Sequence, residues 1–69
     1  MGNEEKARLG TLIDYWMEHN REHSQEFREW AERAGKFGPA GVGGEILKAA
    51  QELDKATEHL SRARRQLEG

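Results

Sequence analysis

Two histidines one helical turn apart, His19 and His23, carry the most reactive spacing in this sequence. Side chains at i and i+4 of a helix share a face, so both imidazoles can reach a single metal ion. Glu22 and Glu26 fall in the same stretch, WMEHNREHSQEFREW, and offer oxygen ligands beside them. The five residues HNREH also follow the H-x-x-E-H order of inverted zincins, with Glu22 in the general-base position. Peptidase chemistry needs a further protein ligand and a substrate cleft, which a chain this short has no second domain to build. The chemistry within reach is therefore coordination of Zn or Ni, and the expected role is non-enzymatic. The plainer reading of the same residues is a polar helix face.

These side chains must be positioned by helices. The one cluster of helix breakers is GKFGPAGVGG, Gly35 to Gly44, holding five of the eight glycines and the only proline. Ala, Glu, Lys, Arg, Gln and Leu dominate on either side, all good helix formers. The chain reads as a single domain, 1–69, with helices over about 4–34 and 44–67 and a loop at 35–44. Asn3 is placed to cap the first helix, with Glu4 and Glu5 in its first turn. Thr11 after Gly10 is the alternative start. Gly35 is expected to close the helix as its C′ residue.

Apolar spacing predicts how the helices meet. Leu9, Ile13, Trp16, Asn20, His23, Phe27, Trp30 and Ala34 alternate steps of four and three residues, as do Ile46, Ala50, Leu53, Thr57, Leu60, Arg64 and Leu67. Such seams are the signature of coiled-coil packing. A short loop makes the helices antiparallel, and pairing Ala34 with Ile46 sets Trp30 against Ala50, His23 against Thr57 and Trp16 near Arg64. Asn20, His23 and Thr57 then form a polar layer within the seam, a device that fixes register. The same pairing brings His59 level with the His19 region. This suggests a His19–His23–His59 cluster with Glu22 or Glu26 as oxygen ligand, the alternative being a solvated His59.

A second stripe, Ala49, Ala56 and Ala63, would let another helix approach closely. Leu12, Met17, Ala31 and Leu47 widen the apolar face beyond what two helices can cover, and exposed apolar patches mark interfaces. The expectation is an all-α antiparallel hairpin forming a four-helix bundle as a homodimer. The monomeric alternative folds Phe37 and Val42 of the loop over the patch.

Composition narrows the remaining classes. The 69 residues hold no cysteine, which removes disulfides and thiolate zinc sites. A net charge of −2 gives no general attraction to nucleic acid or anionic membrane. The Arg62–Arg65 run is flanked by Glu58 and Glu68 and suits a helix C-terminus. No apolar run approaches the roughly 20 residues of a membrane span, and no basic start leads into an apolar leader core. A cytoplasmic location is expected.

Trp16, Glu18, His19, Asn20, Glu22, His23, Phe27 and Trp30 fit the core W-[IM]-E-H-N-x-E-H-x-x-x-F-x-x-W. In this the chain resembles a short, uncharacterised prokaryotic two-helix domain over nearly its whole length. The resemblance implies a link to transition metals such as nickel or zinc, through the histidine-rich segments that accompany such domains. This chain has no histidine-rich tail.

Overall fold

A computed structural model describes residues 2–69 as two helices joined by a tight turn. Helix α1 spans Gly2–Phe37 and α2 spans Val42–Glu68. The helices pack against one another as a hairpin. α1 runs without a break through Gly10, and Thr11 sits within it, its hydroxyl donating to Ala7 O at 3.2 Å. Neither Gly10 nor Gly35 ends the helix, so the expected loop of 35–44 contracts. Lys36 in the last turn favours the carbonyl end of the dipole. Gly38 N–H still donates to Ala34 O, at 2.8 Å, and the turn proper begins there.

Gly41 ends the turn at φ 96°, a left-handed backbone that side-chain-bearing residues avoid. Its carbonyl accepts from Glu45 N–H at 3.0 Å and starts α2. Two residues on, a Cβ at Gly43 would lie 2.7 Å from Ala31 O, so backbone meets backbone where the hairpin closes.

The seam of α2 follows the spacing: Ile46, Ala50, Leu53, Thr57, Leu60, Arg64 and Leu67 are all buried or half-buried. On α1 the expected seam holds at Ile13, Asn20, His23, Phe27 and Ala34 and fails at Leu9, Trp16 and Trp30. The buried and half-buried residues are Gly10, Ile13, Met17, Asn20, His23, Ser24, Phe27, Ala31 and Ala34. Leu9, Trp16 and Trp30 are replaced in the seam by the residue that follows each, and Ser24 lies deeper than His23. The contrast is sharp at one step of the chain: Met17 is 9% exposed and Trp16 41%.

The physical reason is close approach. Gly10, Ser24, Ala31 and Gly38, with Met17, repeat every seven residues, and small side chains let α2 draw near. The Arg64 guanidinium lies across Gly10, where a Cβ would sit 3.1 Å from Cζ. An indole has no room in those positions. Register shifts accordingly: Ser24 meets Ala50, which had been assigned to Trp30, and Ala34 lies against Gly43 rather than Ile46.

Rotation of α1 gives the hairpin two unlike flanks. On one, Arg64 Nε donates to Asp14 Oδ1 at 3.0 Å, and Arg28 donates to Asp54. Each pair joins α1 to α2, and the charges are reversed between them, so sliding α2 would leave both unmatched. The other flank carries Leu9, Trp16, His23, Trp30 and Phe37, again seven residues apart, beside Ala49, Ala56 and Ala63. Those alanines are exposed. Met17 and Ala31, expected to widen the apolar face beyond the hairpin, belong to the seam. Phe37, at 73% exposure, covers nothing, so the loop supplies no third packed segment.

Candidate functional site

The imidazoles of His19 and His23 come together on the apolar flank. Their Nε2 atoms are 3.0 Å apart and their rings meet edge to face, with centroids 4.4 Å apart. Tyr15 stacks on His19 and Phe27 flanks His23, continuing an i, i+4 aromatic ladder. His23 Nδ1 lies 3.8 Å from Glu26 Oε1. Helical periodicity alone assembles this group, which is why it was visible in the sequence.

The larger cluster is not assembled within one chain. His59 Nδ1 is 3.2 Å from Arg62 Nη2 on its own helix. Among the described residues, no set of three or more His, Cys, Asp or Glu side chains is gathered to hold an ion. Glu22 remains on the exposed face of α1.

The polar layer is also made differently. Asn20, His23 and Thr57 are half-buried, but the Thr57 hydroxyl donates to Leu53 O of its own helix at 2.9 Å. A buried hydroxyl bond across the helices comes instead from Ser24, which donates to Asp54 Oδ1 at 2.7 Å. That bond, followed by the one from Arg28, holds the Asp54 carboxyl below the usual carboxylate range. At the open end, the hydrogen bond to Asp14 raises the Arg64 guanidinium further above its ordinary value. Arg64 therefore serves Asp14 and Glu68 rather than Trp16. A cation–π contact forms near the loop, with Arg33 4.7 Å above the Trp30 ring.

Near the loop, Phe27, Trp30, Ile46, Ala49 and Glu26 line a shallow groove on the apolar flank. It lies between the large side chains of α1 and the small ones of α2. Among the described residues, no helix is long and apolar enough to cross a membrane.

A family model described as a domain of unknown function (DUF8180) matches residues 9–67. No curated protein and no solved structure matches the chain.

Proposed function

Since the chain belongs to the DUF8180 family, whose matched stretch takes in the whole two-helix seam, we propose that it is a non-enzymatic assembly module that pairs with a second copy of itself. The pairing surface is the flank carrying Leu9, Trp16, His23, Trp30 and Phe37, and the product is a four-helix bundle.

One observation carries this reading: the hairpin closes one flank with ion pairs and leaves the other apolar and uncovered. Its magnitude is that of an interface. The chain exposes 5413 Å², whereas a compact monomer of its mass exposes about 4,400 Å². The excess, roughly 1,000 Å², compares with about 800 Å² buried per partner in a standard interface. Among the described residues no large side chain is fully buried, so two helices alone make a thin core. The large-beside-small composition of the flank also suits interdigitation with a copy of itself.

Sedimentation equilibrium on untagged protein tests the reading. The expected mass is twice 7.9 kDa, falling to one chain in Trp16→Glu/Trp30→Glu with helical circular dichroism retained. A wild-type chain that stays monomeric at about 100 μM removes the proposal. A second reading, binding of Zn or Ni through His19 and His23, is favoured by the i, i+4 spacing that puts both imidazoles on one face of α1, where their Nε2 atoms share a 3.0 Å hydrogen bond.

A further inference from the structure

On the apolar flank, the large side chains of α1 and the small ones of α2 are out of step in height. Ser24 donates to Ala50 O at 3.4 Å and to Asp54 Oδ1 at 2.7 Å, which sets residue 24 of α1 level with residue 52 of α2. From there the antiparallel helices count in opposite directions with the same rise per residue. Trp16 therefore stands at the height between Ala56 and Ala63, His23 between Ala49 and Ala56, and Trp30 between Val42 and Ala49. The groove lined by Phe27, Trp30, Ile46 and Ala49 marks the same level.

A two-fold axis can add a second copy to this flank in two directions. An axis crossing both helices near His23 sets α1 against the partner's α1, so that Trp16 meets the partner's Trp30 and Ala49 the partner's Ala56. Large then opposes large, small opposes small, and neither row interdigitates. An axis parallel to the helices leaves every height unchanged and sets α1 against the partner's α2. Trp16, His23 and Trp30 then each face a gap between two smaller residues, as knobs face holes.

Charges select the same direction. Glu22 and Glu29 each precede a large residue of the α1 stripe, and Lys48 and Lys55 each precede an alanine of the α2 stripe. The residues that follow those stripes face the other helix of the hairpin, so the residues that precede them turn outward, and all four are exposed. By height Glu22 comes within one residue of the partner's Lys55, and Glu29 within one residue of the partner's Lys48. In the single chain these lysines reach Glu52 and Glu45 of their own helix, each at 3.3 Å. Nearer the stripes, Arg33 comes beside the partner's Glu45, an opposite pair, and Glu26 beside the partner's Glu52, a like one. The crossing axis instead brings Glu22 to the partner's Glu22 and Lys48 to the partner's Lys55.

We infer that the flank takes a second copy in one orientation, with the partner's α2 lying antiparallel along α1 about a two-fold axis parallel to the helices. Glu22 and Glu29 face the partner's Lys55 and Lys48. The inference rests on the self-pairing proposed above and adds its direction: the apolar gaps supply affinity, and the rim charges fix orientation.

Charge reversal tests it, by sedimentation equilibrium at about 20 mM salt, where exposed charges are weakly screened. Glu22→Lys/Glu29→Lys and Lys48→Glu/Lys55→Glu should each raise the dimer dissociation constant at least tenfold, with helical circular dichroism retained. The variant carrying all four substitutions keeps the net charge of −2 and makes every rim pair opposite again, so it should return to within about threefold of the wild type. Association unchanged in both double variants, or not recovered in the fourfold one, overturns this orientation and leaves the pairing intact. A wild-type chain that is monomeric at about 100 μM removes both.

Discussion

Ser24 on α1 donates its hydroxyl hydrogen to Asp54 on α2 at 2.7 Å, and Arg28, one turn along α1, donates to the same carboxylate. The arrangement ties the helices at mid-length and holds Asp54 ionised to lower pH than usual. The sign follows from linkage. A carboxyl whose folded pKa lies below its unfolded value, about 3.9, binds more protons when unfolded. Its contribution is complete above that value and is lost as pH falls through the folded pKa. Urea unfolding at pH 7, 4, 3 and 2 should show stability dropping below about pH 4, with a smaller drop in Asp54→Asn. Equal acid sensitivity in both proteins would remove Asp54 from the account.

Ser24 itself is buried, so its truncation isolates the hydrogen bond. Ser24→Ala removes one donor and almost no volume, and a cost of about 1 kcal/mol is expected at pH 7. Ser24→Leu, which crowds the close approach to Ala50, should cost about 1–3 kcal/mol. Equal tolerance of both would place the seam elsewhere. Denaturant midpoints with unchanged m-values would measure both.

Three glycines separate packing from propensity. Gly43→Ala puts a Cβ 2.7 Å from Ala31 O, a backbone atom that cannot yield without moving the helix. It should destabilise by about 1–3 kcal/mol, outweighing the gain in helix propensity. Gly44→Ala, with nothing within 4 Å, should instead stabilise by about 0.5–1 kcal/mol. Gly10→Ala lies between, since the atoms it meets belong to the end of the flexible Arg64 side chain. Thermal unfolding of the three variants should therefore rank Gly44→Ala above Gly10→Ala above Gly43→Ala.

Much of this fold was legible in the sequence, and what was misread has a single physical origin. Two heptad stripes run side by side on α1, one of large residues from Leu9 to Phe37 and one of mostly small residues from Gly10 to Gly38. Periodicity identifies a seam but cannot say which adjacent stripe faces which partner. Size suggested the aromatics for the hairpin, whereas α2, with Ala50 and Gly43, packs against the small stripe. The signal for it was present in Ser24 and Asp54, polar residues at helix-interior positions that needed a partner. Of the site, the His19–His23 pair depends only on helical spacing and was readable. His59 and Thr57 depended on which way α2 turns its side chains: His59 is exposed beside Arg62, and the Thr57 hydroxyl is taken by Leu53 O of its own helix.

Adjacent residues should therefore respond in opposite ways. Met17→Asp buries an unpaired charge between the helices and should abolish the hairpin, seen as lost helical circular dichroism. Trp16→Asp places its charge on the open flank, so helicity should persist while self-association is lost. If both variants unfold alike, the flanks are not distinct.

The position of the symmetry axis can be read from distances between equivalent residues. The chain has no cysteine, so single spin labels can be placed at Glu22→Cys, Glu29→Cys and Lys36→Cys, all on the exposed side of α1. An axis crossing α1 at His23 sends equivalent positions apart in opposite directions at 1.5 Å per residue each. The separation along the helix should then grow by about 20 Å for every seven residues. An axis parallel to the helices, which lays α1 on the partner's α2, gives one distance at all three positions. Pulsed dipolar measurements should find that single distance rather than a rise from position 22 to position 36. That outcome would preserve the dimer and exclude an axis crossing the helices.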